Sequence, residues 1–268
     1  MIIGDWGNAG AGQNNTAALM KTVAGQNNIS MVLSLGDNFY SNSLDSAESY
    51  EGVKSSTDPK WTDLWQNMYL SGPLSTVPWW SVAGNHDWYG ALGANPDADV
   101  QHSQVDSRWI MPDFFWDKTV TVNGFTVGFV FVDTDLLFYG YQDVNSKKFG
   151  ANFVNHGWTA ANNSIQQHLD TIEGYLKAHQ NDDYLIVIGH HPLGTCSPTG
   201  NMTLLENLLA TYQPSAYMFG HTHAMQFNRH HNTMYIQSGT GGNAEAACNM
   251  TGVEQWAIGS NYGSVSST

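Results

Sequence analysis

YMFGHTH, residues 217–223, is an apolar run that stops at a glycine and then presents two histidines two places apart. Alone, it reads as a strand followed by a turn with two solvated imidazoles. The same phrase recurs along the chain. Ile3-Gly4-Asp5, Leu35-Gly36-Asp37, Ala83-Gly84-Asn85, Ile188-Gly189-His190 and Phe219-Gly220-His221 each close an apolar run with Gly and a residue able to bind a metal. In a sheet of mainly parallel strands the carboxyl ends line one rim, where ligands bind in open α/β folds. Glycine lets the backbone turn sharply there and come close to whatever is bound. Five such strands deliver Asp, Asp, Asn, His and His to one place. A single Gly-Asp is an ordinary turn, whereas five in a row read as a metal site.

Neighbouring residues extend the set. Tyr40 follows Asp37 by three places, His86 follows Asn85, and His223 follows His221 by two. Carboxylates, an amide oxygen, a phenol and imidazoles are too many donors for one ion and match two. A carboxylate such as Asp37 can bridge a pair of ions ~3.5–4 Å apart. Hard oxygen donors suit a hard, highly charged ion on one side, while His and Asn suit a divalent ion on the other. Other polar residues have plainer readings. Asp133 reads as a local hydrogen-bond acceptor, His102 and His156 as loop residues, His230 and His231 as a turn, and His168 and His179 as surface or flanking residues of a helix.

Composition narrows the function further. The 268 residues suffice for one sizeable core, and nothing in them looks like a linker, so a single domain over 1–268 is expected. Nine Lys+Arg against 23 Asp+Glu leave a net charge of −14, which disfavours nucleic acid and anionic membrane surfaces as partners. An anionic substrate then needs a local positive focus, and metal ions supply what so few basic side chains cannot. Two cysteines, Cys196 and Cys248, permit one disulfide and no cysteine metal cage. Five N-x-S/T sequons begin at Asn14, Asn28, Asn162, Asn201 and Asn249. Together these lean towards a glycoprotein of a secreted or secretory/lysosomal-type compartment, although the chain opens on a strand-like MIIG and not on a signal peptide.

Strand-like and helical stretches alternate, which predicts an α/β protein. Strands are expected over residues 1–3, 30–35, 77–83, 184–188, 216–219 and 234–239. The spacing predicts a hairpin over 119–133 with Asn123-Gly124 as its turn. Helices are expected over 14–26, with Asn14 or Asn15 as N-cap and Leu19 and Val23 on one face, and over 59–70, 162–179 and 202–212. The 162–179 helix places Ile165, Leu169, Ile172 and Leu176 on one side. Long polar loops at 88–107 and 138–160 are expected to border a site.

Read in order, GDWG, GDNFY, GNHD, VIGH and GHTH resemble the five motif blocks of the metallophosphoesterase superfamily, in the form found in purple acid phosphatases. The resemblance is strongest to the small animal-type, tartrate-resistant branch. LSLGDNFY, VPWWSVAGNHD, SRWIMPDFF, FVDTD and SAYMFGHTHAMQF carry it from Gly4 to about Gly263. It implies two mixed sheets packed face to face with helices on both outer faces, an α/β fold (α+β in some schemes). It also implies that Asp5, Tyr40 and His223 bind Fe(III), that Asp37 bridges, and that Asn85, His190 and His221 hold a divalent ion, Fe(II), Zn or Mn. Tyr40 is the distinguishing residue, because a phenolate favours ferric iron.

The implied activity is an acid phosphatase hydrolysing phosphate monoesters of small molecules or phosphoproteins, expected as a monomer. Water activated on the metal pair attacks phosphorus in line with the leaving oxygen. His86 protonates that oxygen, with Asp87 beside it to orient the imidazole or raise its pKa. Rival readings are a phosphodiesterase or nucleotide phosphatase at the same site, and a binding or scaffold protein that has lost activity. The seven ligand positions and His86 all being present argues against the scaffold. Redox chemistry at an iron pair is a third option that can coexist with hydrolysis.

Some departures stand out. Relatives carry a further substrate-side histidine, but LGTCSPTG (193–200) has none, so that role is vacant or falls to His191, which reads equally as a residue packed behind the ligands. Residues 141–157 lie where relatives keep a loop over the site. Cys196 sits near one position of the family disulfide, whereas Cys248 is not placed opposite it. The short first strand and the early C-terminus mean either trimmed ends or a shorter member.

Overall fold

The computed structural model describes residues 1–141, 148–194, 200–248 and 255–265. Strands β1 (Ile2–Ile3), β2 (Val32–Ser34), β3 (Trp79–Ser81) and β4 (Trp109–Ile110) pair in that order, all parallel. An antiparallel bridge from Val265 to Ile2 at the outer edge makes this first sheet mixed. The second sheet contains β5 (Phe115–Val122), β6 (Phe125–Val132), β7 (Tyr184–Ile188), β8 (Ala216–Phe219), β9 (Met225–His230), β10 (Thr233–Ser238) and β11 (Gln255–Ile258). Its order is β11-β9-β10-β8-β7-β6-β5. The run β6, β7, β8, β10 is parallel, while β5 pairs antiparallel with β6, and β9 with β10 and β11.

Alternation along each strand sorts the side chains into layers, since successive residues point to opposite faces. Trp80, Phe129, Phe131 and Met218 pack between the sheets, where Trp116 stacks on Phe131 at 3.8 Å. Their neighbours Val130, Val132, Tyr217 and Phe219 turn outward onto Leu169, Ile172, Leu176, Leu205 and Leu209 of the helices Ser164–His179 and Met202–Tyr212. On the far side, Ile3, Val32, Trp79 and Trp109 meet Trp6, Met20, Trp65 and Tyr69. The result is the expected pair of packed sheets with helices on both outer faces. Asn123 and Gly124 both have positive φ (52° and 87°), as the two-residue hairpin turn requires, and His231 and Asn232 do the same between β9 and β10.

Three expectations need correcting. The first helix runs Ala11–Gln26 from Gly10, so Asn14 and Asn15 lie inside it and are exposed. Its buried face is Gly12, Gln13, Thr16, Ala17, Met20 and Ala24 rather than Leu19 and Val23. Small residues let this helix pack closely, and Gln13 Nε2 donates to Leu64 O at 2.9 Å. His102 belongs to the helix Asp97–His102 and is buried, stacked on Trp61 at 3.7 Å. His168 and His179 are likewise buried. His179 lies between Asp117 (2.8 Å) and Asp182 (2.7 Å), and a pattern of apolar spacing has no means of signalling such a pairing.

His168 packs against Trp158 and Phe115, and its Nδ1 has no hydrogen-bond partner. Burial pushes its pKa down to about 4. An unfolded histidine titrates near 6.5, so between these values the unfolded chain binds the extra proton. The contribution to stability is therefore complete above pH 6.5 and is lost as pH falls towards 4, by up to about 3 kcal/mol. Thermal unfolding at pH 7 and pH 4.5 is expected to show a smaller pH-dependent drop in Tm for His168→Leu than for the wild type. Equal drops would remove His168 from the account of acid sensitivity.

Candidate metal centre

Asp5, Asp37 and Asn85 follow the carboxyl ends of β1, β2 and β3, while His190 and His221 follow those of β7 and β8. The site thus forms where the rims of the two sheets meet. His190 Nδ1 donates across that seam to Leu35 O at 2.7 Å, since a carbonyl can only accept. This fixes the ring and leaves Nε2 facing Asp37 Oδ2 and Asn85 Oδ1, each 3.3 Å away.

The turns are made differently from the expectation. Asp5, Asp37 and His221 themselves adopt left-handed backbone, with φ of 59°, 50° and 70°. Each costs roughly 1–2 kcal/mol, a strain typical of residues held for function. Among the glycines before the donors, Gly36 shares this conformation, whereas Gly84 is extended and is needed for space. A Cβ there would come within 2.5 Å of Asp37 Oδ1.

The donors form two groups. In the first, Tyr40 Oη lies 3.0 Å from Asp5 Oδ1, 3.0 Å from Asp37 Oδ2 and 3.2 Å from His223 Nε2. His223 Nδ1 faces Glu245 Oε1 at 3.2 Å. In the second, Asn85 Oδ1 lies 2.8 Å from His221 Nδ1. Asn85 Nδ2 donates to Tyr89 Oη at 2.8 Å, which turns its oxygen inward. Asp37 Oδ2 reaches both groups. Donor atoms of Asp5, Asp37 and His190 fall within 4.8 Å of one another, as do those of His190, His191 and His221.

The buried carboxylates draw positive charge towards them. Burial, reinforced by Asp37 and Asp5, pushes the Tyr40 phenol far above its usual range. Its single proton can serve only one of the two carboxylates it touches. Burial raises Asp5. Burial would also raise Asp37, but His190 and His86 hold it well below the usual range. His190 rises to about 10, Asp37 outweighing the burial that opposes it, and His223 rises to about 9 beside Asp5, again against burial. Protonated imidazoles at His190 and His223 thus supply the positive charge that metal cations would otherwise bring, and this buried O/N donor set fits a pair of metal ions.

His86 borders both groups. Its backbone N–H donates to Asp37 Oδ1 at 2.8 Å, its ring packs 4.2 Å from that of Tyr40, and its side chain is 24% exposed. Nε2 lies 3.9 Å from Asp37 Oδ2, and Nδ1 lies 2.7 Å from Glu51 Oε2. Burial opposes a charged ring, yet Asp37 and Glu51 raise its pKa. Of the two roles expected of Asp87, its charge does help to raise the His86 pKa, after Asp37 and Glu51, but its carboxylate does not orient the ring. It accepts from Asn38 N at 3.1 Å and Gly84 N at 2.9 Å, tying the loop after β2 to the one after β3. Glu51 is the residue that sequence reasoning missed. It sits 35 positions from His86 in a loop without periodicity, and no spacing rule points to it.

His191, expected on the substrate side, is fully buried. Its Nδ1 meets Thr134 Oγ1 at 2.8 Å, Phe138 stacks on it at 4.2 Å, and its Nε2 has no partner. Asp133 is the expected local acceptor, taking hydrogen bonds from Trp88 Nε1 at 2.7 Å and Asp135 N at 2.9 Å. Cys248 is disulfide-bonded, while Cys196 and residues 142–147 of the loop lie outside the described residues.

The family model of calcineurin-like phosphoesterases matches residues 1–225. Tartrate-resistant acid phosphatase type 5 of Rattus norvegicus is 28% identical over 260 residues, covering 90% of this chain and 71% of the relative. Purple acid phosphatase 17 of Arabidopsis thaliana is 30% identical over 258 residues, covering 91% and 68%. Among solved structures, GAP50, the anchor in the inner membrane complex of Plasmodium, superposes with a TM-score of 0.74 at 21% identity, covering 98% of this chain and 78% of that one. Purple acid phosphatase PPD1 from yellow lupin gives 0.57 at 16%, covering 96% and 46%. At such identities the two structures speak for the fold alone. Among the described residues no helix is long and apolar enough to cross a membrane. With its five strand-end motifs, its paired sheets and these relatives, the chain belongs to the calcineurin-like phosphoesterase family, as a relative of the purple and tartrate-resistant acid phosphatases.

Proposed function

We propose that the chain, as one catalytic unit over 1–268, is an acid phosphatase that hydrolyses phosphate monoesters at a pair of metal ions. The observation that carries this reading is Asp37 Oδ2, which reaches Tyr40 Oη in one donor group and His190 Nε2 in the other. Asp5, Tyr40 and His223 would hold Fe(III), and Asn85, His190 and His221 a divalent ion, Fe(II), Zn or Mn, with Asp37 shared. When bound, such a pair neutralises phosphate charge and activates water for attack at phosphorus.

His86 is the proton donor to the leaving oxygen. Its Nδ1–H is engaged by Glu51, so the proton at Nε2 is the one free to move, and a carboxylate on Nδ1 stabilises the charged ring. His191, buried behind Phe138, acts through its neighbours His190 and His221 in this reading. Substrates would be small phosphate esters or phosphoproteins. A secreted or lysosomal-type glycoprotein fits the exposed sequon residues Asn14, Asn28 and Asn162.

The test is a pH–rate profile from pH 4 to 9 on an alkyl phosphate monoester, whose leaving oxygen needs the proton, with the matching diester alongside. Monoester turnover is expected to dominate and to peak on the acid side, where the imidazole carries its proton. Dominant diester turnover, or an alkaline optimum, would overturn the substrate class. No turnover of either by the metal-loaded chain would favour the binding or scaffold reading, in the manner of the anchor that the name of GAP50 describes for that protein.

A further inference from the structure

Lys60 has no exposed surface. Lysine is almost never fully buried without partners, so its surroundings require an explanation. Its Nζ donates to Tyr40 O at 2.7 Å, to Gly52 O at 2.9 Å and to Tyr50 O. Three ammonium donors thus meet three backbone carbonyls, and none of these groups is left bare. The carbonyls belong to the two ends of one loop. Tyr40, at its start, supplies the phenol of the first donor group, and Glu51, near its end, lies between two of the clasped residues.

The rest of the loop repeats the arrangement. Ser41 N donates to Glu51 Oε2 at 3.0 Å, and Gly52 N donates to Phe39 O at 3.0 Å. Tyr50 Oη and Lys60 N both donate to Asp58, at 2.7 Å and 3.0 Å. Every bond at the root of the loop therefore bears on where the Glu51 carboxylate sits, and that carboxylate holds His86 Nδ1.

We propose that Lys60 is a positioning residue for proton delivery: its ammonium closes the 40–52 loop and thereby seats Glu51 against His86. The proposal rests on the reading of His86 as proton donor. Lys60→Met keeps the length of the stem and removes all three donors. A loosened Glu51 leaves His86 misaligned, and small misplacements of a catalytic group are costly. The need for its proton depends on the leaving group. An alkoxide requires one, whereas 4-nitrophenolate leaves without.

Lys60→Met is therefore expected to lower kcat on an alkyl phosphate about ten- to hundred-fold, with KM and 4-nitrophenyl phosphate turnover changed far less. Glu51→Gln should reproduce the pattern, and the double variant should be no worse than Glu51→Gln alone. Equal losses on both substrates, or losses that multiply in the double variant, would reduce Lys60 to a merely structural role and overturn the proposal. If Lys60→Met does not fold, Lys60→Gln, too short to reach the three carbonyls, is read by the same two criteria.

Hydrogen exchange on the metal-free chain separates this proposal from the functional reading. The amides of Ser41 and Gly52 should lose protection in the variant while those of β7 and β8 keep theirs. Unchanged protection at Ser41 and Gly52 would overturn the clasp even in an active enzyme. A wild type inactive on every ester would instead sink the phosphatase reading.

Discussion

His86→Ala is expected to lower kcat on an alkyl phosphate by about 10²- to 10⁴-fold, the usual contribution of a positioned general acid. On 4-nitrophenyl phosphate the loss should be several-fold at most, because that leaving group needs no proton. The argument is geometric. The imidazole is partly exposed beside the donor groups, fixed at its backbone by Asp37 and at Nδ1 by Glu51, with Nε2 on the side of Asp37 Oδ2. Steady-state kinetics on a series of monoesters graded by leaving-group pKa measures it directly. The variant should show a steep dependence where the wild type shows a shallow one. Parallel lines would mean that His86 binds substrate or supports the loop without delivering a proton.

Asp37→Asn is expected to be more damaging, with activity on every ester reduced by on the order of 10³-fold or more. Lewis-acid activation supplies several kcal/mol, and each 1.36 kcal/mol is a factor of ten. The substitution is nearly isosteric, and the amide oxygen can still accept from His86 N–H, so the fold should persist. What it removes is the negative charge shared between the Tyr40 group and the His190 group. Metal analysis of the purified variant should find at least one ion fewer per chain than in the wild type. An Asp37→Asn protein with full metal content and wild-type kcat would contradict the bridging role.

The sequence was most legible where its periodicities are sharp. The apolar run Phe125–Val132 after Asn123-Gly124 marked one arm of a hairpin and its turn, and both stand where expected. The strand-end phrase pointed to the candidate site, because Gly-donor repeats gather at one rim only where the strands run parallel, and the structure does bring those residues together. Small-residue packing was not legible. In the first helix Gly12, Ala17 and Ala24 are buried while Leu19 stays exposed, which reverses what side-chain hydrophobicity implies. Buried polar pairs were equally silent. His179 with its two aspartates, Asp87 with Asn38, Lys60 with its carbonyls and Glu51 with His86 join distant or aperiodic positions. Their signal lies in the folded geometry. The glycines also misled in part, since Asp5, Asp37 and His221 bear the left-handed backbone themselves.

The most direct test of the two-ion centre is to strip the wild-type chain of metal and restore it stepwise, counting ions per chain against phosphate-monoester turnover. The account predicts no turnover in the stripped protein and a plateau at two ions per chain. A tyrosinate-to-ferric absorption band should appear as iron is added and be absent from Tyr40→Phe. Full turnover at one ion per chain, or in the metal-free protein, would contradict it.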